Sequence, residues 1–195
     1  MDRVRAAFSS SIVVVETWCA GRHWPLRLLF LAWLAWVAGN HLVDDQYWSL
    51  FGSINLGIHE GGHVLFRPLG EWFTVAGGTI AQCAAPLIAG ALFVRQEDYF
   101  GSAVCGVWLA DNLYGVAAYC ADASSRALPL VNIGGGDAEH DWTYLMESIG
   151  MLGSEGTFAA LIRLIAFALG WGSIVAGAWM CWRMAGTRPV APPRR

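Results

Sequence analysis

Lysine is absent from this sequence of 195 residues, and charged side chains of every kind are scarce. Charged residues make up 14% of the chain, against about 25% in ordinary soluble domains, while 56% of the residues are hydrophobic. Several apolar stretches approach the roughly 20 residues that a helix needs to cross a bilayer. The composition therefore predicts an all-α fold of one domain, a polytopic transmembrane bundle with about five to six membrane helices.

Other absences exclude whole classes of function. The twelve basic residues, all arginines, form no basic patch with interleaved aromatic residues, so nucleic-acid binding is not expected. The five cysteines are odd in number and lack Cys-x-x-Cys spacing, which argues against a disulfide framework and a cysteine zinc cluster. The glycine run at 134–136 lacks the Gly-Lys-Ser/Thr ending of a phosphate-binding loop and is interpreted as a slack connection.

The hydrophobic pattern predicts where the chain crosses the membrane. Residues 1–24 are expected to be a cytoplasmic or interfacial segment, residues 25–183 the transmembrane domain with the metal site, and residues 184–195 a disordered tail. The predicted spans are 25–43, about 49–66, 72–94, 99–121 and 156–182. His41, at the end of the first span, is interpreted as an interfacial histidine and not as a ligand.

The positions of the arginines predict the topology. Four precede or enter the first span and four follow the last: Arg3, Arg5, Arg22, Arg27, Arg183, Arg188, Arg194 and Arg195. Both ends are therefore expected to be cytoplasmic, which requires an even number of crossings, whereas five spans are visible. Either residues 142–152 complete a shallow or re-entrant span, or residues 8–20 insert, or one end departs from the rule.

The second span contains the motif that carries the chemistry, His59-Glu60-Gly61-Gly62-His63. Residues four apart project from nearly the same face of a helix, so His59 and His63 can share a metal ion. Glu60 lies beside them and can act as a general base, as the H-E-x-x-H pattern predicts. Ionisable residues are costly in a membrane segment unless they have partners or a function.

Polar residues in later segments are candidates for the same site. Gln82 in the third span is expected to hydrogen-bond the motif helix or a substrate backbone, or simply to join two helices. Asp111 and Asn112 lie inside the fourth span, where an aspartate is a functional candidate. His140 and Asp141 follow the glycine run, and Asp141 is a candidate cap for a short helix.

The sequence from Gly57 to His63 resembles the zinc-binding helix of the site-2 protease family of intramembrane metalloproteases. It is more similar to a set of small bacterial membrane proteins related to that family. The similarity covers roughly residues 50–150 and rests on these features: His59 with His63, Gly77-Gly78 with Gln82, Asn112 with Tyr119 and Asp122-Ala123, and His140-Asp141-Trp142. It implies zinc, with His59 and His63 as ligands and Glu60 as catalytic base, in an integral protein of a bacterial cytoplasmic membrane.

The third ligand departs from the pattern of that family. Site-2 proteases take it from an Asp-Gly pair, whereas the corresponding Asp111 is followed by Asn112. The alternatives are His140 or Asp141, carried to the metal by the glycine-rich loop. We expect His140 first, then Asp111, then Asp141, because imidazole is a common zinc ligand that a nearby carboxylate can orient.

These features together predict a zinc-dependent membrane hydrolase, most consistent with an intramembrane metallopeptidase. Glu60 would take a proton from water as it attacks a carbonyl, with Gln82 or Asn112 stabilising the oxyanion. The expected substrate is a transmembrane protein or peptide, unwound locally. Two alternatives remain at this level: a metal-dependent membrane enzyme of another class, and a non-enzymatic membrane protein with a structural metal or a polar packing site.

Overall fold

The computed structural model of the chain describes residues 12–128 and 140–186, and all regular structure within them is helical. This confirms the predicted all-α class. The helices are α1 (residues 12–19), α2 (Pro25–Val43), α3 (Gly52–Phe66), α4 (Glu71–Arg95), α5 (Tyr99–Ala121), α6 (Asp141–Ser148) and α7 (Glu155–Gly186). A 3₁₀ turn at Arg67–Leu69 joins α3 to α4.

Three of these helices, α2, α4 and α7, are long and apolar enough to cross a membrane. The central helix α5 has 23 residues, a length of about 34 Å, but many of its side chains face neighbouring helices. Because neighbouring helices cover these side chains, the surface of α5 does not have to be apolar on every side. Helix α3 has only 15 residues, about 22 Å, which is shorter than a typical hydrocarbon core. Three candidate spans are thus shown within the described residues, fewer than the five to six predicted.

Contacts between helices fix their directions. Arg27, near the start of α2, lies over the ring of Phe100 at the start of α5. His41, near the end of α2, contacts Asp111 farther along α5. Helices α2 and α5 therefore run in the same direction. Helices α4 and α7 run the opposite way, since residues 96–98 connect α4 directly to α5 and Arg183 returns to Glu16.

Helix α3 does not begin at the end of the bundle where α2 finishes. Its flanking residue Phe51 lies against Trp33 in the middle of α2 and against Trp108 of α5, with ring centroids 5.8 and 6.3 Å apart. Farther along, the ring of His59 is 6.2 Å from that of Tyr119 near the end of α5. Residues 44–51 thus fold back into the bundle, and α3 then runs parallel to α2.

Four long helices alternate in direction within the described residues. Helices α2, α4, α5 and α7 each run the length of the bundle, and α3 covers only part of it. The start of α2 and the end of α7 consequently lie at the same end. The helix that covers only part of the bundle is α3, which the sequence predicts as a full span at about 49–66.

The boundaries of the predicted segments are mostly correct. Helix α2 matches the predicted span 25–43 and α5 matches 99–121. Helix α1, within the predicted interfacial segment, packs on the bundle through Trp18 and the buried Cys19. Helix α7 continues to Gly186, past the predicted domain boundary. The rest of the predicted disordered tail and the glycine run at 134–136 lie outside the described residues.

Candidate metal centre

The structure brings together the two motif histidines of α3 and the first residue of α6. His59 Nε2 lies 2.9 Å from Asp141 Oδ2, and His63 Nε2 lies 3.4 Å from the same oxygen. One potential ligand atom from each of the three residues lies within 4.8 Å of the other two. The i, i+4 spacing therefore places both imidazoles on one side of α3, facing a single carboxylate.

The remaining ring nitrogens of both histidines contact oxygen atoms of α4. His59 Nδ1 is 2.8 Å from Gln82 Oε1, and His63 Nδ1 is 2.8 Å from the backbone oxygen of Thr74. A backbone carbonyl only accepts hydrogen bonds, so the proton of His63 lies on Nδ1. With Gln82 oriented by its oxygen, the same holds for His59. The Nε2 atoms, which face Asp141, are then the nitrogens that can bind a metal ion once the rings are neutral.

Asp141 contributes a negative charge to this arrangement. Burial raises the pKa of its carboxyl, but contacts with His59 and His63 outweigh burial and hold the pKa below its usual value. The histidines have this effect by donating protons to the carboxylate, so a proton lies between Asp141 and the rings when no metal is bound. A metal ion would take the place of that proton, with the Asp141 carboxylate and the Nε2 atoms of the neutral rings as ligand atoms.

The donor set fits a zinc ion. Zinc binds imidazole nitrogen and carboxylate oxygen, and catalytic sites hold it with three protein ligands. Metal-binding histidines commonly donate their other N–H to a carbonyl or carboxylate, which fixes the ring and its tautomer. His59 and His63 both have that second contact, through Gln82 and Thr74. His59, His63 and Asp141 are therefore the residues that would hold the metal.

Glycines allow α3 and α4 to approach closely enough for these contacts. A Cβ added to Gly62 would come within 2.2 Å of the backbone oxygen of Gly77. A Cβ added to Gly78 would come within 2.6 Å of the His59 ring. The sequence indicated tight packing from Gly77-Gly78, and its expectation that Gln82 bonds the motif helix is confirmed.

Asp141 is held in place by the junction of α5 and α6. Its backbone N–H donates to Tyr119 Oη over 3.1 Å, and Thr143 Oγ1 donates to the backbone oxygen of Ala123. The residue that caps α6 is His140, whose Nδ1 accepts a hydrogen bond from the N–H of Thr143. Asp141 is consequently the first residue of the helix and not its cap, contrary to the sequence-based expectation.

His140, the expected third ligand, is not among the three converging residues. Its side chain is 1% exposed, and Nε2 lies 3.3 Å from Asp122 Oδ2 without the alignment of a hydrogen bond. Burial lowers the pKa of His140 more than the neighbouring Asp122 raises it, so the ring is neutral near pH 7. The structure thus places Asp141, which we expected last, at the motif histidines and turns His140 towards Asp122.

Asp111, the other alternative, belongs to a separate buried network. His41 Nε2 lies 2.8 Å from Asp111 Oδ1, and Asn55 Nδ2 donates to Oδ2 over 2.9 Å. Trp108 completes this network with a 2.7 Å bond to Asn55. His41 is 8% exposed, so the interpretation of an interfacial histidine is wrong. No sequence signal paired His41 with Asp111, because the two lie 70 positions apart.

The other three predicted residues, Glu60, Asn112 and Gln82, differ in their surroundings. Glu60 is partly buried next to His59 on α3, and its charge acts on both His63 and Tyr119. Asn112, an expected oxyanion donor, is 1% exposed and donates to the backbone oxygen of Trp108. Gln82, the other expected donor, is engaged by His59. Of these three side chains, Glu60 is the one left available for chemistry at the cluster.

Comparison with protein-family models, curated proteins and solved structures found no match to this chain.

Proposed function

We propose that the protein is a membrane-embedded, zinc-dependent hydrolase, and specifically an intramembrane metallopeptidase. The observation that carries this proposal is the convergence of His59, His63 and Asp141, with Glu60 next to His59 in the helix and near enough for its charge to act on His63. A structural zinc site is usually closed by four protein ligands, whereas a catalytic site uses three and leaves one position open. Three ligands converge among the described residues 12–128 and 140–186, and this number suits catalysis better than simple cross-linking of helices.

Each residue has a distinct part in this proposal. His59, His63 and Asp141 would bind the ion, and Gln82 and the Thr74 carbonyl would orient the two imidazoles. Zinc, when bound, supplies a Lewis acid that acidifies water and polarises a carbonyl. Glu60 would accept the proton of the attacking water and deliver it to the leaving amine.

The location of the cluster suits a substrate that spans the bilayer. His59 lies beside Tyr119, two residues before the end of α5, so the cluster is near one end of the bundle. Among the described residues, four arginines lie at the opposite end (Arg22, Arg27, Arg95 and Arg183) and three at the cluster's end (Arg67, Arg126 and Arg163). The larger number at the opposite end, together with the arginines that the sequence carries before α1 and after α7, makes that end cytoplasmic by the positive-inside rule. Water would then reach the site from the non-cytoplasmic surface of a bacterial cytoplasmic membrane.

The proposed substrate is a transmembrane protein or peptide that unwinds next to this shallow site. A helix keeps its carbonyls in its own hydrogen bonds, so a scissile bond must leave the helix before it can react. A metal-dependent hydrolase of lipids or small amides would use the same centre. Presenting the purified enzyme with a transmembrane peptide and with phospholipid vesicles distinguishes these two classes.

The decisive first experiment is the metal content of detergent-purified protein. We expect about one zinc per chain in the wild type and its loss in His59→Ala and in Asp141→Ala. Asp111→Asn provides the matched control, because it changes a buried aspartate that bonds only to His41 and Asn55. A wild type that binds no zinc after reconstitution would leave a cluster that only packs helices, and the proposal would fail.

A further inference from the structure

Asp122, the C-cap residue of α5, is bound from several directions. Ser125 Oγ and the N–H of Ala127 donate to Oδ1, and the N–H of Leu128 donates to Oδ2 over 3.0 Å. Oδ2 also lies 3.3 Å from His140 Nε2. Burial raises the pKa of Asp122, but these hydrogen bonds outweigh burial and lower the pKa below its usual value. The carboxylate is therefore a buried anion in the loop that follows α5.

His140 connects this anion to the metal cluster. Because its Nδ1 accepts a hydrogen bond from Thr143, the proton of the neutral ring lies on Nε2. This Nε2 lies 3.3 Å from Asp122 Oδ2, close enough for electrostatic attraction although the N–H is not aligned as in a hydrogen bond. The next residue along the chain is Asp141, which faces both motif histidines. Asp122 thus contacts His140, the residue immediately before the proposed third ligand Asp141.

Helix α6 depends on such contacts for its position. It has eight residues, and isolated helices of this length are not stable in water. Its first turn is attached to the α5 end by the contacts of His140, Asp141 and Thr143. Near its other end, Ser148 accepts a hydrogen bond from Trp72 of α4. Together with the burial of Leu145 and Met146, these polar contacts determine where the carboxylate of Asp141 lies.

We propose that Asp122 is a positioning residue that acts through His140 to hold Asp141 at the metal site. This inference rests on the proposed function, since it assigns Asp141 as a ligand. Asp122 does not touch the cluster. Its contribution is to keep α6 docked, so that the third ligand is already in place when the ion binds.

Asp122→Asn tests this role with little change of shape. Asparagine has one acceptor oxygen where aspartate has two, so the amide cannot satisfy all the donors around Asp122. We expect zinc to bind roughly tenfold more weakly, at the lower end of the loss seen when residues that support metal ligands are changed. Asp98→Asn is the matched control, because Asp98 accepts from the N–H of Gly101 at the other end of α5.

His140→Asn provides a second variant, since asparagine preserves an acceptor at the helix cap but removes the ring N–H. If the two residues act through their contact, the double variant weakens zinc binding no more than the stronger single variant. Effects that add fully would contradict the proposed contact. Equal zinc affinity in Asp122→Asn and the wild type would overturn the role of Asp122 directly.

Hydrogen–deuterium exchange of the metal-free protein separates this inference from the proposed function. We expect the backbone amides of Thr143 to Met146 to exchange faster in Asp122→Asn, with exchange in α7 unchanged. A wild type without zinc affinity would refute the metal site. The comparison of amide exchange in α6 between Asp122→Asn and the wild type would still test the positioning role. Normal zinc binding with unchanged exchange in the variant would refute the positioning role alone.

Discussion

His63 Nδ1 lies 2.8 Å from the backbone oxygen of Thr74, and this contact determines which nitrogen of the ring faces Asp141. His59 has the equivalent contact with the side-chain oxygen of Gln82. One motif histidine is thus oriented by the main chain of α4 and the other by a side chain of the same helix. The side chain, unlike the main chain, can be removed by mutation.

Gln82→Met removes the hydrogen-bond acceptor of His59 while keeping a similar side-chain length. We expect zinc affinity to fall 10–100-fold, because a supporting contact of a ligand is lost, while one zinc still binds at saturation. The measurement is competition with a chromophoric chelator. Gln96→Met, at the exposed end of α4, is the control. Similar affinities of the two variants would show that Gln82 does not support His59.

Gly78→Ala introduces a methyl group where the His59 ring lies. The added Cβ would come within 2.6 Å of the ring, and two contacts prevent the ring from moving freely. We expect a loss of about 1–3 kcal/mol in the free energy of unfolding, together with weaker zinc binding.

Gly57→Ala is the matched control for this substitution. Nothing lies within 4 Å of the corresponding Cβ position on the outer face of α3. Alanine is also the better helix former by about 0.8–1.0 kcal/mol. Unfolding in mixed micelles measures both variants, and a Gly78→Ala protein as stable as Gly57→Ala would contradict the close packing of α4 on His59.

Glu60→Gln removes the proposed general base without removing a metal ligand. We expect zinc binding to persist and cleavage of a transmembrane reporter peptide to slow by about 10²–10⁴-fold. Glu71→Gln, at the exposed start of α4, should cleave at the wild-type rate. Unimpaired cleavage by Glu60→Gln would assign the base to another residue.

His41→Ala isolates the second buried network from the metal centre. It leaves the carboxylate of Asp111 buried without its histidine partner, which costs about 3–5 kcal/mol where such pairs have been broken. We expect a large loss of stability with zinc stoichiometry unchanged. His23→Ala, an exposed histidine before α2, should change neither property. Loss of zinc from folded His41→Ala protein would show that the two sites are coupled.

Patterns within short stretches of sequence account for what could be predicted. The apolar runs located α2 and α5 to the residue, and the four-residue spacing placed His59 and His63 on one face. These properties follow from helix geometry and hydrophobicity along a continuous segment. The same applies to Gln82, whose polar side chain in an apolar helix indicated a contact with a neighbouring helix.

The identity of the third residue of the cluster, His140 or Asp141, depends on where α6 begins. His140 and Asp141 are neighbours in sequence, but one caps the helix and the other begins it, so their side chains point in different directions. The docking of this short helix on α5, through Tyr119 and Ala123, decides which of them reaches His59. No local pattern contains that information.

The sequence by itself determined an all-helical chain with apolar membrane-length segments and a pair of histidines able to share one ion. Only the tertiary structure decided that the chain before α3 folds back into the bundle, that Asp111 binds His41, and that Asp141 faces the motif. Helix periodicity and hydropathy arise from neighbouring residues, whereas these contacts join residues many positions apart. Their partners are selected by how the helices pack, because each buried polar group must find a complementary group within reach.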